Sequence, residues 1–162
     1  MTQRMSRVPY KYSACTGHRR PYRPDDGQQL ESTAMRKPVL VVDDDPDIRQ
    51  VLQDRLESYG YPIANAPDGR AALKILESLV PRGLFLDIRM PGMDGLEVLA
   101  RIRDLHPSIP VVIITAASAG ANVAEALRAG AQAYLLKPFD TLQIKQVAEH
   151  WFGIASGDEQ PG

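Results

Sequence analysis

The stretch from Val39 to Asp47 reads VLVVDDDPD. Four consecutive apolar residues without polar alternation are typical of a strand that is covered on both faces, as in a parallel sheet. The acids end this strand abruptly, and Asp45 followed by Pro46 is a favourable helix start. A strand that leads directly into a helix is the repeating unit of α/β domains. The stretch therefore predicts an α/β fold.

The alternation of strand and helix continues to about Phe152. Further strands are predicted in the segments YPIANA, GLFLDI, IPVVIIT and AYLL. Apolar residues at helical spacing mark a first helix with Ile48, Val51, Leu52 and Leu56, a second with Ala72, Ile75, Leu76 and Leu79, and a third with Leu99, Ile102 and Leu105 on one face. Gly130 is expected to stop the fourth helix and Asp140 to cap the fifth. Because Gly83 stands where a strand normally has an apolar residue, the third strand is expected to start late or to be locally loose.

Five such units predict a doubly wound α/β fold, a five-stranded parallel sheet with helices on both faces. They fit the flavodoxin-like strand order 2-1-3-4-5. Proline cannot donate to a strand ladder, so the strand that carries Pro62 belongs at an edge. In the order 2-1-3-4-5 this second strand lies at an edge of the sheet.

Composition divides the 162 residues into three parts. Residues 1–36 carry seven basic and three acidic side chains without any periodic apolar pattern, and are expected to be a disordered basic extension, with Met35 an alternative start to Met1. Residues 37–152 form the domain, and residues 153–162 are expected to be a short flexible tail.

Charge and cysteine content exclude several function classes. Residues 37–162 hold 12 basic and 17 acidic side chains, which disfavours direct nucleic-acid binding. No apolar run reaches about 18 residues, so no membrane insertion is expected. With Cys15 as the single cysteine and no signal-peptide core, a cytoplasmic location is expected.

Polar residues stand at the carboxyl ends of four predicted strands. They are Asp43 and Asp44, then Asp87, Thr115 and Lys137. In an open parallel sheet these ends face one crevice, so the side chains are expected to converge. Clustered carboxylates repel each other and need a cation to stay charged, and Mg²⁺ together with Lys137 would supply it. Taken singly, each residue has an ordinary structural role, such as a helix cap, a strand residue or a solvated charge.

The motifs VVDDD, LDIRMPGMDG, VVIITA and GAQAYLLKPF resemble, in order and spacing, those of the receiver domains of bacterial two-component response regulators. The resemblance covers about residues 38–152. It implies that Asp87 is the phosphoacceptor. It further implies that Asp43 and Asp44 hold Mg²⁺ together with Asp87 and the main-chain carbonyl of Arg89.

The same resemblance assigns the remaining site residues. Lys137 would contact the phosphoryl group, with a cis peptide bond to Pro138. Thr115 would hydrogen-bond a phosphoryl oxygen and act as a switch together with Tyr134, although a tyrosine at such a position is usually a core residue.

A receiver implies defined partners. The phosphodonor would be a histidine kinase or a histidine phosphotransfer protein, and a downstream protein would bind the face formed by the fourth helix, fifth strand and fifth helix. The protein would be a monomer or a weak, phosphorylation-dependent dimer. It would not be an enzyme beyond its own phosphorylation and dephosphorylation.

Three alternatives are open. The chain could be a receiver fragment of a longer regulator with a DNA-binding or enzymatic output domain, although only ten residues follow Phe152. It could be a docking module that works without phosphorylation, which the complete set of site residues disfavours. It could be a small phosphatase, which multiple turnover of a phosphorylated substrate would reveal.

Overall fold

A computed structural model describes residues 37–116 and 120–153. Strands and helices alternate along these residues. The strands are β1 (Val39–Val42), β2 (Ile63–Ala66), β3 (Gly83–Asp87), β4 (Val111–Ala116) and β5 (Ala133–Lys137). The helices are α1 (Pro46–Ser58), α2 (Gly69–Leu76), α3 (Gly95–Leu105), α4 (Gly120–Arg128) and α5 (Thr141–Phe152).

The five strands form one parallel sheet in the order β2-β1-β3-β4-β5. This confirms the predicted fold class and strand order. Pro62 immediately precedes β2, which is an edge strand as expected. The central strands β1 and β3 are buried along their whole length, as their continuous apolar sequences predict.

Each face of the sheet has its own apolar core. On one face, α2, α3 and α4 contribute buried residues such as Ala72, Leu99 and Ala126. On the other face, α1 and α5 contribute residues such as Leu52 and Ile144. Helices therefore cover both faces of the sheet and leave its carboxyl edge to the loops.

The predicted helix caps are confirmed. The side chain of Asp45 accepts a hydrogen bond of 2.9 Å from the amide of Asp47, with Pro46 at the first helical position. Asp140 and Gln143 cap α5 reciprocally through side-chain and main-chain bonds. Gly130 follows α4 with a φ of 109°, a conformation that glycine adopts without steric cost.

Two apolar residues at helical spacing are not buried, and the second helix ends at Leu76, short of the predicted Leu79. Val51 is 44% exposed and Leu105 is 60% exposed. The buried stripe of α1 runs through Leu52 and Leu56, so Val51 falls beside it. In α3 the buried residues end at Ile102, and Leu105 is the last helical residue, beyond the contact with the core.

The expectation of a late or loose start for the third strand is also wrong. Gly83 begins β3, is buried, and pairs with Val39. A Cβ added there would overlap the ring of Phe152, which packs edge-on against Phe85 with 5.4 Å between ring centroids. The glycine makes room for the last aromatic residue of α5.

The expected basic extension, residues 1–36, and the expected tail beyond Gly153 lie outside the described residues. Within residues 37–116 and 120–153, no helix is both long and apolar enough to cross a bilayer.

We expect Gly83→Ala to destabilise the domain by about 1–3 kcal/mol, because the ring of Phe152 must move out of a packed core. Denaturant unfolding measures this. Gly120→Ala is the control, since an added Cβ there meets no atom within 4 Å. The loss should shrink in a Phe152→Leu background. Equal losses in both backgrounds would contradict the proposed steric contact.

Candidate functional site

Four strand ends meet at the carboxyl edge of the sheet. Val42 pairs with Leu86, so Asp43, the next residue, lies beside Asp87. In the other direction Asp87 pairs with Ile114, and Ala116 pairs with Lys137. The register of the sheet thus brings the predicted residues together, as the positions of the motifs implied.

Three carboxylates form a compact cluster. One oxygen each from Asp43, Asp44 and Asp87 lies within 4.8 Å of the others. Asp43 and Asp87 are buried, whereas Asp44 is exposed. The cluster therefore has a closed base and an open mouth.

Lys137 lies between the two buried acids. Its Nζ is 3.0 Å from Asp43 Oδ2 and 3.4 Å from Asp87 Oδ2. The peptide bond between Lys137 and Pro138 is cis, as predicted. One ammonium group therefore serves two carboxylates, which leaves excess negative charge in the cluster.

Main-chain donors fix the orientation of both buried acids. The amide of Asp45 donates to Asp43 Oδ1 over 2.9 Å, and the amide of Arg89 donates to Asp87 Oδ1 over 3.1 Å. The guanidinium of Arg49 donates to the main-chain carbonyl of Asp43 over 2.6 Å. Arg49 is a site residue that the sequence does not reveal, because nothing in its helical position indicates a contact with the preceding loop.

Gly95 was also missed as a site residue. It begins α3 and donates a hydrogen bond of 2.9 Å to the carbonyl of Ile88. A Cβ at this position would overlap the main chain of Asp87 and Ile88. The glycine in the MDG segment could have signalled such a close approach of two backbones.

Burial and crowding perturb the titration of the site. Burial, and then the Asp43 carboxylate, raise the pKa of Asp87 to about 6, although Lys137 and the Arg89 amide oppose them. Burial lowers the pKa of Lys137, but the Asp43 and Asp87 carboxylates outweigh this and leave it raised. Lys137 is therefore a fixed cation, whereas Asp87 retains a proton more readily than an exposed aspartate.

The donor set fits a hard divalent cation. Carboxylate oxygens are the ligands that Mg²⁺ prefers, and Mg²⁺ is commonly held by few protein groups with room left for water and phosphate oxygens. Asp43 Oδ2 is buried and, within the described part of the chain, has no hydrogen-bond partner despite its ion pair with Lys137. The participation of the Arg89 main-chain carbonyl remains a prediction.

Thr115 and Tyr134 lie on the adjoining strands β4 and β5. Thr115 is fully buried, and its Oγ1 finds no hydrogen-bond partner among residues 37–116 and 120–153. An unpaired buried hydroxyl costs about 1–3 kcal/mol, which a ligand oxygen in the site could recover. Tyr134 is 45% exposed, so it is not a core residue in this conformation.

Comparison with known proteins identifies close relatives. The family model for the response regulator receiver domain matches residues 39–149. The chain is 41% identical over 123 residues to the DNA-binding transcriptional regulator NtrC of Escherichia coli K12, covering 76% of this chain and 26% of NtrC. It is 37% identical over 121 residues to an uncharacterized 14.6 kDa protein of Leptolyngbya boryana, covering 74% of this chain and 92% of that protein.

Solved structures agree with these matches. The receiver domain of NtrX from Brucella abortus aligns with a TM-score of 0.69 at 36% identity, over 70% of this chain and 97% of that domain. The receiver domain of sensor histidine kinase PA1611 from Pseudomonas aeruginosa PAO1 aligns with a TM-score of 0.67 at 28% identity, over 72% and 98% of the two chains. The latter holds a magnesium ion in its active-site cleft.

We expect Asp87→Asn to stabilise the domain by about 1–3 kcal/mol at pH 7.5 in EDTA. A folded-state pKa raised from 3.8 to about 6 means that protonation of Asp87 favours folding below about pH 4. This contribution is lost as the pH rises through 6. The gain in stability of Asp87→Asn over wild type should therefore shrink at low pH and on addition of Mg²⁺.

Denaturant unfolding at pH 7.5 and pH 4.5 measures the difference. Asp104→Asn removes an exposed carboxylate and serves as the control. If Asp87→Asn gained no more stability than this control at pH 7.5, the described crowding of the cluster would be contradicted.

Proposed function

Because the chain belongs to the response regulator receiver domain family, we propose that its Asp87 accepts a phosphoryl group from a phosphohistidine. Phosphorylation on aspartate and Mg²⁺ binding are general properties of this family, whose members receive phosphate from histidine kinases. The donor for this chain would be a histidine kinase or a histidine phosphotransfer protein. The signal would then pass through an interaction that depends on phosphorylation.

The observation that carries this proposal is the juxtaposition of Asp87 with Asp43 and Lys137. Asp87 is 3% exposed, at the base of a cluster that opens through exposed Asp44. Its Oδ2 lies 3.4 Å from the ammonium group of Lys137. A carboxylate held in this way can act as a nucleophile beside a fixed positive charge.

Asp43, Asp44 and Asp87 would hold Mg²⁺, with the Arg89 main-chain carbonyl as a fourth protein ligand. Bound Mg²⁺ would offset the negative charge on the phosphoryl oxygens. The acidic cluster by itself repels an incoming phosphate, so phosphorylation should require the metal.

In the proposed reaction a carboxylate oxygen of Asp87 attacks the phosphorus atom and forms an O–P bond. The N–P bond of the phosphohistidine breaks, and its electron pair returns to the imidazole, which takes up a proton. Lys137 and the hydroxyl of Thr115, which has no partner among the described residues, would bind oxygens of the transferred group. Hydrolysis of the acyl phosphate would later restore Asp87.

These are reactions of the protein on itself. The receiver family is not in general a family of enzymes, and we propose only phosphorylation from a donor and loss of the phosphoryl group for this chain. A cytoplasmic location is part of the proposal, based on the single cysteine, Cys15.

The output surface would be the face formed by α4, β5 and α5. Phosphorylation adds nearly two negative charges at the strand ends, and the hydroxyl of Thr115 can turn towards them. Exposed Tyr134 could then move into the space that Thr115 vacates, which would repack this face. We propose that a downstream protein binds there, to a monomer or a weak phosphorylation-dependent dimer.

A second candidate function, control of an attached output domain, is suggested by relatives that are longer than this chain. The chain spans about a quarter of NtrC, a DNA-binding regulator, but most of the 14.6 kDa protein. The same receiver could therefore control an attached DNA-binding or enzymatic domain. Direct nucleic-acid contact by the described domain is not proposed, because its charge balance is acidic.

Acetyl phosphate with Mg²⁺ should add one phosphoryl group to the full chain, detected by intact-protein mass spectrometry. EDTA should abolish the addition, because the carboxylates then repel the donor. Asp87→Asn should gain nothing, and Asp104→Asn should behave as wild type. A phosphoryl group on Asp87→Asn would refute the assignment of the acceptor.

Beryllofluoride, which mimics a phosphoryl group on the acceptor, should shift amide resonances at Tyr134 and along α4 as well as around Asp87. Thr115→Val keeps the side-chain shape but lacks the hydroxyl, so shifts near Asp87 should remain while those at Tyr134 are lost. Wild-type shifts confined to the loops around Asp44, Asp87 and Lys137 would rule out the proposed output face.

A further inference from the structure

A separate groove lies between α2 and α3, away from the acidic cluster. It has a volume of about 400 Å³, within the usual range of ligand-binding clefts. Its lining residues are Arg70, Leu73, Lys74, Glu77, Met93 and Arg101. We call it the α2–α3 groove. It shares no lining residue with the proposed phosphorylation site.

The rim of the groove is strongly cationic for this domain. Residues 37–153 carry 12 basic and 15 acidic side chains, yet three of the basic residues and only one acid line the groove. Arg70, Lys74 and Arg101 are all exposed. The ion pairs among the described residues involve Lys137 and Lys145. In that part of the chain no carboxylate therefore lies within 4 Å of Arg70, Lys74 or Arg101. The groove thus offers three charges that are not neutralised by close ion pairs.

The floor of the groove is apolar and fixed by the core. Leu73 and Met93 are partly buried and pack against the core on this face of the sheet. Gly69, at the start of α2, is buried, and a Cβ there would overlap Val98 of α3 and lie 3.1 Å from Met93 Sδ. The start of α2 therefore packs closely on α3 and on the segment before it.

We propose that the α2–α3 groove binds a short acidic segment of a partner protein. Carboxylates of the segment would pair with Arg70, Lys74 and Arg101, and an apolar side chain between them would lie on Leu73 and Met93. Charge complementarity favours an acidic ligand, and the apolar floor favours a peptide over a simple anion.

A nucleic acid fits the groove less well. Binding to a phosphate backbone relies on a broad basic surface, whereas the rest of this domain is acidic. Glu77 within the groove would also repel a continuous row of phosphates. A peptide can place its carboxylates selectively and leave Glu77 solvated.

Fluorescence anisotropy with a labelled Glu-Leu-Glu-Leu-Glu peptide and the full chain tests the proposal. We expect saturable binding with a Kd below about 1 mM. The triple variant Arg70→Gln, Lys74→Gln, Arg101→Gln should bind at least tenfold more weakly. The matched control Lys37→Gln, Arg55→Gln, Arg128→Gln removes three exposed cations elsewhere and should bind within twofold of wild type.

Two further probes distinguish the kind of ligand. A Glu-Ser-Glu-Ser-Glu peptide has the same charge but no apolar side chains, and should bind more weakly than the first peptide. A ten-residue thymidine oligonucleotide should bind more weakly than either. Equal losses in the two triple variants, no binding of the Leu-containing peptide up to 1 mM, or tighter binding of the oligonucleotide would each overturn the proposal. So would a dimer that the groove variant dissociates, because the occupant would then be a second copy of the chain.

Discussion

The arrangement of charge at the carboxyl edge of the sheet depends on one lysine shared by two buried acids. Asp43 directly follows β1, and Asp87 is the last residue of the neighbouring strand β3. The register of the sheet therefore holds the two residues side by side, whatever their charge. Lys137 Nζ reaches both carboxylates and reduces their repulsion, but it cannot neutralise them together with Asp44. Burial, and then the remaining negative charge of Asp43, raise the pKa of Asp87. The same negative charge accounts for the fit of the site to a divalent cation. The clustered carboxylates therefore lower the stability of the folded domain while they create a site for a divalent cation, as is common where charged groups are concentrated for function.

Much of this arrangement could be predicted from the sequence. The apolar runs of β1, β3 and β4 have the pattern of buried parallel strands, and the carboxyl ends of parallel strands lie at one edge. Asp43, Asp87 and Lys137 could therefore be placed together before any distance was known. The caps at Asp45 and Asp140 were equally accessible, because capping is a local interaction.

Other features depend on packing between distant elements. The burial of Gly83 follows from the position of Phe152, almost seventy residues later in the chain, and no local pattern records that contact. Helical spacing placed Leu105 with Ile102 but could not tell that the core ends one turn earlier. The α2–α3 groove likewise needs Arg101 to face a helix that lies well before it in sequence. Periodicity identifies which residues share a face, but not where the neighbouring surface stops.

Gly95 brings the first turn of α3 into direct contact with the backbone of the acceptor strand. Its lack of a side chain lets the first turn of α3 rest directly on the backbone of Asp87 and Ile88, with a hydrogen bond between Gly95 and Ile88. The neighbouring strand β4 carries the hydroxyl of Thr115, which has no described partner, and β5 carries the half-exposed Tyr134. Close backbone packing is therefore found where α3 meets the acceptor strand, whereas the side chains with room for new contacts lie on β4 and β5.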